Sequence, residues 1–224
     1  MCAVIGVCLE SVKQRDFELV RSLFLQSMIR GKHATGLTFF KDGKLNTIKE
    51  PISAKQFVDR YPIEQFVDND SLLLIGHTRY STSDLRYNQP FQSADLAIAH
   101  NGVISQDPDV WEYETETAND SELILRCIEN NDHPLEVYKN RSMAVVALSK
   151  GKLHAFRNHE RPLWVANRKN GVIFSSTQNI LKRSGIYEGV SQCEPLVEYS
   201  FGPAQVELKV DRTYFDPNMK DLQP

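Results

Sequence analysis

The sequence predicts an α+β fold in which antiparallel β-sheets are covered by helices. Short strand-like runs dominate, several are joined by two-residue hairpin signals, and there is no series of strand–helix–strand crossovers of the kind that builds parallel sheets. At 224 residues the chain fits one domain around a single core. Residues 2–210 are assigned to that domain. Residues 211–224, polar and with two prolines, are expected to form a tail that wraps the surface or frays.

Each element follows from local pattern. Residues 2–9, CAVIGVCL, read as an apolar strand starting at the terminus. Over 14–30, Phe17, Val20, Phe24 and Met28 recur at three- and four-residue steps, which predicts an amphipathic helix. ATGLTFF at 34–40 and LNTI at 45–48 flank Asp42-Gly43, a hairpin signal because both central residues of that turn need positive φ. Ser53 is suited to cap a short helix over 54–61. Runs 72–78 and 95–100 are buried strands in character, and 120–130 reads as a helix with Asp120 near its start. The second half reads as a meander: strands at 143–149, 152–157, 163–167, 171–176, 195–200 and 205–210, with a helix at 177–183.

Composition excludes several function classes. With 26 basic and 29 acidic side chains the charge is balanced at −3, so no basic stripe points to nucleic acid. The longest apolar runs are too short to span a bilayer, and the N-terminus lacks a signal-peptide pattern, which points to the cytosol. Cys2, Cys8, Cys127 and Cys193 form neither a Cys-x-x-Cys pair nor a zinc spacing with histidine. No metal or organic cofactor is expected. Cys8, Cys127 and Cys193 read as buried thiols.

Cys2 differs by position. Removal of Met1 would leave a thiol and a free α-amine on one residue, a nucleophile with its own base. The amine's ordinary pKa, about 7.7–8, lies close to working pH. Alone, a second-position cysteine is more often incidental. Three further segments bear on it. GHTRYST at 76–82 carries Arg79, whose planar fork can grip a carboxylate, or can form a structural salt bridge. AHNGVI at 99–104 offers the Asn101 side-chain amide and the Gly102 N–H, the two donors an oxyanion requires, or simply a turn. TANDSELIL at 117–125 carries Asp120, a partner for an ammonium group or a helix N-cap.

Taken in order, Cys2, RGKHATG at 30–36, GHTRYST, AHNGVI and NDSE resemble the class II, N-terminal-nucleophile glutamine amidotransferase domain. NHERPLWVA and VIFSST at 172–177 are similar to its later hairpins, so the resemblance covers roughly residues 2–185. It implies a four-layer αββα sandwich. It implies that Cys2 attacks the side-chain amide of L-glutamine and that Asn101 and Gly102 form the oxyanion hole. Arg79, helped by Thr82, would bind the α-carboxylate, and Asp120, with Gly102 nearby, the α-ammonium. Arg30 would support the terminal segment, and Tyr80 stands where an aromatic in relatives often gates ammonia, or else simply packs. His33 replaces an acidic residue common in relatives, and Gln89-Pro90 stands where they often carry His-Pro. In the segment 105–118, Trp111 and Tyr113 either cover the site or anchor the loop.

The ammonia is expected to pass to a separate synthase or amidating partner, with no nucleic-acid or membrane partner. The alternatives are a stand-alone hydrolase of another γ-glutamyl amide and a non-catalytic regulatory module of the same fold.

Overall fold

The computed structural model describes residues 2–80, 88–203 and 209–213. In chain order the elements are β1 (Ala3–Leu9), α1 (Gln14–Ser27), β2 (Ala34–Lys41), β3 (Lys44–Glu50), α2 (Ala54–Arg60), β4 (Leu72–Arg79), β5 (Phe91–Gln92) and β6 (Leu96–Val103). Then follow α3 (Glu122–Glu129), α4 (Pro134–Val137), β7 (Ser142–Ser149), β8 (Lys152–Arg157), β9 (Trp164–Arg168), β10 (Gly171–Ser175), α5 (Gln178–Arg183), β11 (Val190–Gln192), β12 (Val197–Phe201) and β13 (Lys209–Thr213).

The strands form two sheets, ordered β11-β9-β10-β1-β4-β2-β3 and β13-β12-β8-β7-β6-β5, and every pairing is antiparallel. Alternation sorts the side chains into three cores. Ile5, Val7 and Leu9 of β1 pack with Val20, Leu23 and Phe24 of α1, Phe57 of α2 and Leu181 of α5. The opposite face of β1, with Val4 and Cys8, meets Ala97 and Ala99 of β6 and Ala144 and Val146 of β7 between the sheets. Ile98 of β6 and Val145 of β7 then pack under Leu123 and Ile124 of α3 and Leu135 of α4. The result is the αββα sandwich.

The local signals act as their chemistry requires. Asp42 and Gly43 have φ of 52° and 74° and join β2 to β3. Ser53 accepts from the Gln56 N–H at 3.4 Å at the start of α2, and Thr177 caps α5 in the same way. On α1 the Phe24 ring fills the space over Gly76, where a Cβ would stand 2.5 Å from it, so truncating Phe24 would cost about 3–5 kcal/mol.

Some expectations shift. The second half is not one meander: β9, β10 and β11 join β1 in the first sheet, while β7, β8, β12 and β13 build the second. Both β1 faces are apolar, so β1 must be covered on both sides, and β10 pairs along one flank of it as β4 does along the other. The last expected strand, at 205–210, is seen as β13 at Lys209–Thr213, so the expected start of the tail at 211 falls inside a strand. Residues 204–208 and 214–224 lie outside the described residues. α3 starts at Glu122 rather than 120, and α4, β5 and β11 are too short to give a periodic signal.

Candidate functional site

β1 is the central strand of its sheet, which fixes Cys2 at the start of a strand held on both flanks. Ala3 pairs with Thr78 on β4, so Cys2 comes opposite Arg79. On the other flank the Val4 N–H donates to Ser176 Oγ at 2.9 Å, and the Val4 carbonyl accepts from the Ser176 N–H at 3.2 Å. Arg30, just past α1, donates from Nε to the Cys2 carbonyl at 2.7 Å. Cys2 is half-buried, and continuing the alternation of Val4 and Cys8 directs it into the layer between the sheets. Met1 lies outside the described residues.

The RGKHATG segment fits closely against the end of β4. A Cβ on Gly31 would lie 2.5 Å from the Arg79 carbonyl carbon and 2.6 Å from the Thr78 oxygen, so only glycine lets the two backbones meet. Next to it the His33 N–H donates to the Arg79 carbonyl at 3.0 Å. The His33 ring lies 4.7 Å, centroid to centroid, from half-exposed Tyr80. Thr82 lies outside the described residues.

Asn101 and Gly102 lie near the end of β6, in the other sheet. Asn101 is 4% exposed, and its Nδ2 is buried with no hydrogen-bond partner among the described residues. With Ala97 and Ala99 on the inner face, alternation directs Asn101 inward as well. Gly102 pairs with Met143, whose N–H and C=O are both bonded to Asn158 on the β8 side. That register turns the Gly102 N–H away from β7, toward the same edge as the His100 N–H. A side chain at 102 is impossible without movement, since a Cβ would meet the Ser142 carbonyl oxygen at 1.8 Å.

Asp120 does not cap a helix through its side chain. Its Oδ2 accepts from the Ile104 N–H at 2.6 Å and the Ser105 N–H at 3.2 Å, so it ties the segment before α3 to the end of β6. Burial pushes its carboxyl pKa up, against the pull of these backbone donors. Trp111 donates to the Ser105 carbonyl at 3.3 Å and Tyr113 to Asp132 at 2.7 Å, and both pack on the α3 core. They anchor the 105–118 loop.

The structure adds a buried network that the motifs did not assign. The His100 N–H donates to Gln89 Oε1 at 2.6 Å, and Gln89 Nε2 donates to Ser121 Oγ at 2.9 Å. His100 Nδ1 lies 2.9 Å from Ser121 Oγ, and Nε2 lies 3.2 Å from the Ser142 carbonyl. Only one tautomer serves all of these: Nε2 protonated and donating, Nδ1 accepting from the serine hydroxyl. The ring is accordingly neutral, its pKa pushed down to about 4 by burial, against the Ser142 hydrogen bond and with the charge of Arg161. His77, fully buried beside Arg79, His100 and Asn88, is pushed down to about 3, again chiefly by burial. The network joins the residue before Asn101 to the residue after Asp120. A buried histidine preceding Asn-Gly was the available signal, but sequence does not say what it touches.

The remaining thiols are buried. Burial pushes Cys8, Cys127 and Cys193 each up to about 12.

Two antiparallel sheets packed between helical layers are the αββα arrangement of the N-terminal-nucleophile hydrolase fold. The solved structures similar to this chain include the glutamine phosphoribosylpyrophosphate amidotransferase of B. subtilis, at 18% identity and a TM-score of 0.68, covering 93% of this chain and 49% of that one. Another is an allosteric regulatory enzyme of purine biosynthesis, at 17% identity and 0.67, covering 94% and 49%. A glutamine aminotransferase class-II domain protein of Silicibacter pomeroyi matches at 10% identity and 0.54, covering 94% and 99%. The chain thus spans about half the length of the first two. No family model matches the sequence. No curated protein matches it.

Among the described residues no helix is long and apolar enough to cross a membrane.

Proposed function

We propose that this chain is a class II glutamine amidotransferase domain that hydrolyses L-glutamine through an N-terminal Cys2 thioester. After Met1 is removed, the Cys2 thiol gives its proton to the α-amine, directly or through one water, and Sγ adds to the amide carbonyl. Asn101 Nδ2 and the Gly102 N–H take the resulting oxyanion. Collapse expels ammonia with a returned proton, and water releases glutamate from the thioester. Arg79, with Thr82, holds the α-carboxylate, Asp120 holds the α-ammonium, and Arg30 fixes the Cys2 backbone.

The observation that carries this reading is the buried Asn101 amide donor, without a partner among the described residues, facing the same inter-sheet layer as Cys2 and Arg79. A buried donor left unmade costs about 1–3 kcal/mol. A site that uses it in the transition state is a physical reason to keep it.

The ammonia passes to a separate synthase partner. The function is tested by ammonia release from L-glutamine. The mature chain turns over, whereas Cys2→Ala and a chain carrying an uncleavable residue ahead of Cys2 do not. Equal turnover by all three would end this reading.

A further inference from the structure

On the side of β6 away from β7, β5 pairs at Phe91–Ile98 and Gln92–Ala97 and begins no earlier. Extending that register by two residues brings Gln89 opposite His100. The Gln89 main-chain carbonyl instead packs against Gly36 of β2 in the other sheet, where a Cβ would stand 2.2 Å from its oxygen. The side-chain carbonyl takes its place in the ladder and accepts the His100 N–H at 2.6 Å. The Gly102 N–H points to this same edge, one ladder step further on. Gln89 thus reaches from β2 across to the strand that carries Asn101 and Gly102.

Two more side chains tie that strand to the segment before α3. The Ser121 hydroxyl accepts from Gln89 Nε2 and donates to His100 Nδ1, both at 2.9 Å. His100 Nε2 then donates to the Ser142 carbonyl at 3.2 Å. The ring also lies against Gly102, where a Cβ would stand 2.5 Å from Nε2. At the other end Ser121 follows Asp120 directly, and its N–H donates to Asn119 Oδ1 at 3.1 Å. Gln89, His100 and Ser121 are all buried. Both ends of the amide, both ring nitrogens and the hydroxyl as donor and acceptor are used. A buried network satisfied in this way holds a single arrangement. What it holds here is the spacing between Gly102 and Asp120, which lie on different segments and are asked to act on one glutamine.

We propose that Gln89, His100 and Ser121 are positioning residues that set the donors at 101 and 102 against Asp120, with the Ser121 hydroxyl as their shared link. The proposal rests on the glutaminase reading and adds to it three residues that touch neither substrate nor nucleophile. Ser121→Ala removes both hydroxyl bonds and leaves every proposed substrate contact in place. Gln89→Met keeps the length of the side chain and removes both amide bonds.

The test is steady-state ammonia release from L-glutamine by the mature protein, at a temperature where melting curves show each variant fully folded. In Ser121→Ala kcat should fall about 10- to 100-fold, the size of effect that slight misplacement of reacting groups produces. KM should rise with it, because Asp120 and the oxyanion donors lose the same link. If Ser121→Ala does not fold, Gln89→Met carries the same expectation. Where both fold, the double variant should match the weaker single variant within about twofold, since one relay can be broken only once. Unchanged kcat and KM, a fall in kcat at constant KM, or single effects that multiply in the double variant would each overturn the proposal. Wild-type turnover matched by the variants sinks this proposal alone, whereas wild-type protein that releases no ammonia sinks the glutaminase reading and this proposal with it.

Discussion

Replacing Asn101 with alanine should damage turnover while sparing the fold, an unusual result for a residue 4% exposed. In the resting protein Nδ2 makes no hydrogen bond among the described residues, so deleting it removes a desolvation cost of about 1–3 kcal/mol. Loss of the side-chain volume costs on the order of 1 kcal/mol. The net change in stability is therefore between about zero and 2 kcal/mol in favour of the variant. At about 2–4 °C per kcal/mol for a chain of this size, Tm should stay level or rise by a few degrees. Loss of one oxyanion donor should lower kcat by about 10²–10³, with KM for glutamine little changed. The assays are thermal melting followed by circular dichroism and steady-state ammonia release. A variant with near-normal kcat, or one destabilised by more than about 3 kcal/mol, would show Asn101 to be a structural residue and refute the reasoning.

Other outcomes follow from the same geometry. Arg79→Ala should raise KM for glutamine by about 10² with a smaller effect on kcat, since a charged hydrogen-bonding pair in the ground state is lost; an unchanged KM would remove Arg79 from the substrate site. Gly102→Ala should destabilise the protein by about 2 kcal/mol or more, because its Cβ would meet the Ser142 oxygen at 1.8 Å; melting tests this, and turnover should fall with it. Acid should destabilise the protein earlier than carboxylates alone predict. His100 takes a proton at about pH 6.5 when unfolded but only at about 4 when folded, so its contribution is present above 6.5 and is lost as pH falls toward 4. The loss amounts to about 3 kcal/mol, and denaturation across this range should be flatter in His100→Gln.

Much of this was legible in sequence where chemistry is local. Asp42-Gly43 needed positive φ, Ser53 offered a capping oxygen, and the apolar step of α1 marked its buried face. Cys2, Arg79, Asn101 and Asp120 stand out in sequence as candidates because each lies at or near the end of an element. What sequence withheld is non-local. It could not show that β9 and β10 cross to the β1 sheet, because apolar strands carry no label for their partner. It could not show that Asp120 bonds to Ile104 and Ser105 rather than to its own helix, since a carboxylate suits either. Nor could it join Gln89, His100 and Ser121, which are brought together only when β6 and α3 pack, or bring Arg161 to Ser142.

The most direct measurement is covalent capture of Cys2 by a glutamine-shaped electrophile, read as intact mass of the mature protein and mapped by peptide mass. One adduct should form, on the residue whose amine Met1 once blocked, and L-glutamine should protect against it. Cys8, Cys127 and Cys193, held up near 12, should stay unmodified. An adduct on any of those three, or none on Cys2, would contradict the account.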